Sequence, residues 1–275
     1  MQRFKMLNNV LIGATAAVLG TAAFVPKGEN APTPTMIEAA TEMVATAAPA
    51  TFVSGGEPAA RAKTGIAAEV ETSVAALSGS VTKLSHPRAL EDAFKAYYAY
   101  RTSNPEDVKK PYLYFVDYGL SSTEKRGYVF DMEKKAVIDG PFTVAHGRGS
   151  GPKGTVPTRF SNTNGSAMNS LGLYLTQETY AFSGKASGTF YRSIGLRLKG
   201  LSGDFNDAAR SRGVVAHGAP YVTASGAGRS EGCPAVEESR AQKLMPMLSN
   251  GAMVFLFAPN EQWLENDPWL TANVG

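Results

Sequence analysis

Hydrophobic positions along the chain change their period near residue 112. Before that point Leu90, Phe94, Tyr97 and Tyr98 recur at helical spacing, which predicts a helix over 87–101 with one face on a core. Pro87 suits its first position, where the missing N–H would have no partner anyway. Beyond that point the apolar runs are short and separated by Gly, Ser, Pro and Asn. Residues 112–117, 127–132, 136–146, 171–176, 194–199, 213–217 and 253–258 read as strands. A second helix is predicted over 236–248, stopped by Asn250-Gly251 and frayed near Pro246. The pattern favours a mainly β fold with few helices, largely antiparallel, built as a mixed sandwich or partly open barrel. There is no internal repeat.

The flanks read differently. Arg3 and Lys5 precede an apolar run over 10–25 that closes on the small residues Thr21-Ala22-Ala23. Residues 1–25 are therefore expected to be a signal peptide, with an uncleaved membrane anchor as the other reading. Both send the bulk of the chain out of the cytoplasm, to the periplasm or cell envelope; a membrane is a partner only in the uncleaved case. Residues 26–84 are rich in Ala, Thr, Pro, Gly and Glu and sparse in large apolar side chains, so a flexible tether is expected there, with a short helix near 37–46. A packed helical subdomain is the competing reading. The folded domain is placed at 85–260 and a polar tail at 261–275, with Trp263 and Trp269 packed against the domain surface. Residues 147–170 form a long irregular segment carrying Gly147, Gly149, Gly151, Gly154 and Gly165. Loops of that length tend to serve a function. A phosphate cradle is rejected because no Gly-Lys-Ser/Thr helix start follows.

Charge and cysteine content narrow the chemistry. The 27 Lys and Arg against 24 Asp and Glu give a formal net charge of +3, too weak to suggest a nucleic-acid partner. The chain has 1 Cys and 3 His. That rules out an intrachain disulfide or a zinc site built on several thiolates, and no metal or cofactor is expected. An unpaired cysteine in an exported chain is either a reactive thiol or a buried small hydrophobe.

Local context favours the reactive thiol. Cys233 sits in Ser230-Glu231-Gly232-Cys233-Pro234, just before the second predicted helix, where a thiolate would be stabilised. Gly232 permits a sharp turn that exposes peptide N–H groups suited to an oxyanion. His217 ends a predicted strand and is available to take the thiol proton and return it to a leaving amine. Singly, His217 also reads as a structural histidine.

These residues resemble a known family. The block His217-Gly218-Ala219-Pro220-Tyr221-Val222, followed by Gly228-Arg229-Ser230-Glu231-Gly232-Cys233-Pro234-Ala235, is similar to the murein L,D-transpeptidase catalytic domain, in the branch lacking a histidine before Gly-Cys. Thr123-Glu124-Lys125-Arg126, Val144-Ala145-His146-Gly147, Phe160-Ser161-Asn162, Ser170-Leu171-Gly172 and Gly203-Asp204-Phe205-Asn206-Asp207 extend the resemblance over roughly 89–259. It implies a cysteine acyltransferase acting on peptidoglycan stem peptides, with a donor peptide and an amine acceptor as partners. Cys233 would be the nucleophile, His217 the base and then the acid, and the N–H groups of Glu231, Gly232 and Cys233 the oxyanion donors. A backbone carbonyl or Ser230 would orient His217, and acylation by a carbapenem would be expected. Hydrolysis alone, as a carboxypeptidase or amidase, and an inactive wall-binding module are the alternatives. Glu231 departs from the wider pattern and places an acid beside the thiol. An ordinary cysteine protease fits less well, because no Cys-Trp signature is present.

For substrate contacts the candidates are Arg229, Arg148 and Arg212 for stem-peptide carboxylates, Glu231 for the incoming amine, and Tyr221 and His146 for the cleft wall. His146 also reads as a structural hydrogen-bonding residue, and His86 is expected only near a helix start.

Overall fold

The computed structural model describes residues 58–272. The signal-peptide segment and the short helix expected near 37–46 lie outside them. Two helices come first, α1 (Pro58–Leu77) and α2 (Ala89–Ser103). Six strands follow: β1 (Tyr112–Asp117), β2 (Gly127–Asp131), β3 (Ala136–Phe142), β4 (His146–Gly147), β5 (Gly172–Ala186) and β6 (Thr189–Gly200). Then come β7 (Val215–Gly218), β8 (Val222–Thr223), β9 (Gly226–Ala227), β10 (Arg229–Ser230) and β11 (Ala235–Val236). The chain closes with α3 (Glu238–Leu248), β12 (Met253–Phe257) and α4 (Glu261–Asn266).

One 8-stranded mixed sheet runs in the order β11-β7-β6-β5-β12-β1-β2-β3. Its pairs are antiparallel except β1 with β12 and β11 with β7. The edge strands β11 and β3 do not pair with each other, so the sheet is not closed into a barrel. The central strands β1 and β12 are continuous apolar runs, Leu113-Tyr114-Phe115-Val116 and Met253-Val254-Phe255-Leu256-Phe257, all fully buried. Runs of that kind belong to strands covered on both faces. Helix α2 packs on β1, β5 and β12, and α3 packs on β5, β6 and β7. Among the described residues no helix is long and apolar enough to cross a membrane.

Three features differ from the sequence expectation. First, α1 occupies residues expected to be tether. Val70 and Leu77 are buried, and the buried Ser73 Oγ is 2.8 Å from the Tyr98 hydroxyl. The Ala-rich composition hid a narrow apolar stripe at helical spacing, which suffices because α2 supplies the other half of the contact. That contact adds to the burial of α2, which is unbroken from Ala96 to Tyr100, with Ser73 on Tyr98 and Trp269 on Tyr100. Second, the expected polar tail holds α4. Trp263 is buried against Phe255 and Phe257, and its Nε1–H donates to Asp267 Oδ2 at 2.7 Å. The core there has room for a large aromatic, and the indole N–H finds a carboxylate beside it. Third, β5 and β6 extend well past the expected 171–176 and 194–199 and join as a long hairpin. Its two-residue turn, Ser187-Gly188, has φ of 48° and 84°, the signature of a turn that matches strand twist.

Candidate active site

The Cys233 loop is held from below by two close backbone approaches. A Cβ on Gly147 would lie 2.3 Å from the Ala167 carbonyl and 2.8 Å from Gly232 Cα. Gly232 has φ of +116°, and a Cβ there would meet the Met168 carbonyl at 2.7 Å. Glycine at both positions lets the 147–170 segment pass directly beneath the cysteine loop. Ser230 Oγ closes the turn by donating to the Cys233 carbonyl at 2.6 Å and accepting the Gly232 N–H at 3.2 Å. Asn169, fully buried, accepts the Gly147 N–H at 2.8 Å and donates to the Gly232 carbonyl at 2.9 Å.

Cys233 is half-buried and lines a cavity of about 240 Å³ with Asn164, Gly165, Ala167, Arg212, Gly213 and Glu231. Its sulfur leans on the start of the strand that carries His217, 3.9 Å from the Gly213 carbonyl. Burial pushes the thiol pKa up; the Val215 N–H and the Arg212 charge pull it back, and Glu231 adds to the rise. Helix α3 begins only at Glu238, beyond β11. The expected helix N-terminus is therefore not at the sulfur, and the thiol rests protonated.

His217 lies on β7, paired in register with Ala235, two residues past the cysteine. Its ring stacks on Phe182 of the hairpin at 4.1 Å between centroids and 20° between planes. Nδ1 is 2.9 Å from the Gly218 carbonyl. A carbonyl only accepts, so Nδ1 carries the proton and Nε2 is the free lone pair of the neutral ring. Burial lowers the pKa of His217 to about 4, which keeps that ring neutral. Among the described residues no hydrogen bond joins His217 to Cys233. Cys233 thus lies in the loop between β10 and β11 and His217 on β7, with the thiol pKa raised and the imidazole pKa lowered, so the site does not rest as a preformed ion pair.

A family profile for the L,D-transpeptidase catalytic domain matches residues 82–257. The chain belongs to that family. A comparison with curated proteins finds no match. Among solved structures, an L,D-transpeptidase from Mycobacterium smegmatis is 15% identical, with 54% of this chain and 59% of that chain covered at a TM-score of 0.33. One from Stackebrandtia nassauensis is 17% identical, with 77% and 97% covered at 0.34. L,D-transpeptidase 3 from Mycobacterium tuberculosis, in complex with a faropenem-derived adduct, is 15% identical, with 53% and 60% covered at 0.29. The chain thus spans less than two thirds of the length of the first of these.

Within this L,D-transpeptidase domain the candidate residues separate. Gly218 supplies the backbone carbonyl beside His217, and Ser230 serves the turn instead. The Gly232 N–H is taken by Ser230 Oγ, which removes it from the expected oxyanion trio. The Glu231 and Cys233 N–H groups have no partner among the described residues. Arg148 Nε reaches both Glu231 oxygens at 2.8 and 2.9 Å in an exposed ion pair, so the acid at this position faces a cation as well as the thiol. Arg229 is exposed on β10. Tyr221 is half-buried and meets Tyr191 of the hairpin edge-to-face at 6.3 Å.

Two substrate-contact expectations do not hold. His146 is fully buried: Nδ1 accepts from Arg126 at 3.1 Å, and Nε2 faces the Gly151 and Pro152 carbonyls at 3.3 and 3.2 Å. It has no ring atom left for a ligand, because its strand faces the equally buried Arg126 rather than the cleft. Arg212 cannot clamp a carboxylate with its fork. Nη1 donates to the Ser161 carbonyl and Ser170 Oγ, and Nη2 to Ser166 Oγ and the Met168 carbonyl. Sequence reasoning missed Asn169 and the hairpin residues Phe182 and Tyr191. Alternating Tyr180 and Phe182 ahead of Ser187-Gly188 was a signal for the hairpin; Asn169 carried none.

Proposed function

We propose that this chain is an exported cysteine L,D-transpeptidase acting on peptidoglycan stem peptides. The observation that supports it most is the placement of the only cysteine in a solvent-open cavity within the segment that matches the family. In this reading the Cys233 thiol gives its proton to His217 Nε2 as the sulfur attacks the amide carbonyl between an L-centre and a terminal D-residue. The C–S bond forms and the C–N bond breaks. The imidazolium returns the proton to the departing amine, and the Gly218 carbonyl holds the ring through Nδ1. An amine of a second stem peptide then attacks the thioester and regenerates the thiol. The singly protonated ring of His217 supports this proton path, since Nδ1 is tied to the Gly218 carbonyl and Nε2 is left as the acceptor.

The test is intact-mass analysis after exposure to a carbapenem. The expected result is one covalent adduct on the wild type and none on Cys233→Ala; an unmodified wild type at long exposure refutes the reading. Stem tetrapeptide incubated with and without an amine acceptor then separates transfer from hydrolysis. The leader at 1–25 belongs to the same proposal, and fractionation that finds the protein in the cytoplasm refutes that part.

A further inference from the structure

We infer that Asn169 is the positioning residue that aims the Cys233 N–H at the oxyanion formed during acylation. The inference rests on the proposed role of Cys233 as nucleophile. Asn169 has both ends of its amide committed. Its Oδ1 accepts the Gly147 N–H at 2.8 Å; its Nδ2 donates to the Gly232 carbonyl at 2.9 Å and to the Tyr118 hydroxyl at 3.2 Å. A backbone N–H only donates and a peptide carbonyl only accepts, so these partners fix which amide atom is oxygen. The Asn169 backbone is pinned as well, its N–H on Ser150 Oγ at 2.9 Å and its carbonyl on the Ser161 N–H at 2.9 Å.

The consequence follows from peptide planarity. In a trans peptide the carbonyl of one residue and the N–H of the next point in opposite directions. Asn169 holds the Gly232 carbonyl inward, toward a fully buried side chain, so the Cys233 N–H of the same peptide plane points away from that interior. Ser230 Oγ fixes the following carbonyl of Cys233, which anchors the next peptide plane and leaves Asn169 as the group that holds the Gly232–Cys233 plane itself. The Cys233 N–H has no partner among the described residues. A rigid, unpaired N–H adjoining the attacking sulfur is what a tetrahedral intermediate requires. Without Asn169 the Gly232–Cys233 peptide is free to flip, because glycine tolerates either orientation.

The experiment compares two reactions of the same sulfur. Carbapenem acylation passes through an oxyanion; alkylation by iodoacetamide does not. Asn169→Asp keeps the shape and the acceptor for Gly147 but replaces the donor facing the Gly232 carbonyl with an oxygen. Acylation of this variant should fall roughly 100-fold further than its alkylation, the scale of losing one oxyanion donor. The added carboxylate raises the thiol pKa for both reactions alike, while the donor matters to acylation alone. Tyr118→Phe, which frees one amide proton and keeps the ring, should show a smaller loss of acylation alone. The inference is overturned if Asn169→Asp acylates like the wild type, or if acylation and alkylation fall by the same factor. Should that variant not fold, an unchanged acylation rate in Tyr118→Phe overturns it. A wild type that is alkylated but never acylated refutes the functional reading instead.

Discussion

Acid should weaken this fold through His146, and by an amount that its surroundings set. The ring is fully buried, and burial together with the Arg126 charge lowers its pKa from 6.5 to about 4. In the unfolded chain the same imidazole takes up a proton below about pH 6.5. Between those values the unfolded state binds the proton and the native state does not, so stability rises with pH. His146 therefore costs nothing at neutral pH. Its penalty begins as pH falls through 6.5 and levels off below about 4. At roughly 1.4 kcal/mol per unit, the full loss is about 3 kcal/mol, and about 2 kcal/mol is already gone at pH 5. Urea denaturation of the wild type and His146→Gln across pH 7.5 to 4.5 provides the measurement. Glutamine retains a donor for the Gly151 and Pro152 carbonyls and does not titrate. His217 pulls the wild-type curve in the same direction, and the raised carboxyls of Asp92 and Asp117 pull it the other way. All three remain in the variant and cancel in the difference. Parallel curves for the two proteins would refute the argument.

Arg126→Met should cost about 3–5 kcal/mol in the same assay, because it strands the buried Leu120 and Val144 carbonyls and the acceptor nitrogen of His146; a loss under 1 kcal/mol counts against that account. Gly147→Ala should destabilise by roughly 1–3 kcal/mol and also slow carbapenem acylation, since the new Cβ pushes on the Ala167 carbonyl and on Gly232. Glu231→Gln should lower the pH at which Cys233 becomes reactive toward iodoacetamide, and Arg212→Gln should raise it, because these are the neighbouring charges that act on the thiol in opposite senses. Shifts of the same sign in both variants would show that local charge does not control the sulfur. Since the Arg148–Glu231 pair is exposed, Glu231→Gln should leave the melting temperature nearly unchanged.

Much of the fold was legible because strands and helices announce themselves locally. The runs at 112–117 and 253–258 are apolar enough to be strands in any context, and Pro87 with Leu90 and Phe94 marks α2 within two residues. The helix α1 was not legible, because its stripe is too thin to bury anything without α2. The length of the β5–β6 hairpin was not legible either: its outer half is polar on one side and owes its place to Phe182 lying on His217. Cys233 and His217 stand out by residue type, and their neighbourhood by the glycines around them. The sequence by itself determined which atoms have the chemistry to react, because a thiol and an imidazole keep their reactivity wherever they stand. Tertiary structure alone decided which protonation state each rests in, that His146 is structural, and that Asn169 reaches the Gly232 carbonyl. Those outcomes depend on desolvation and on hydrogen bonds between segments tens of residues apart, and no local pattern encodes either.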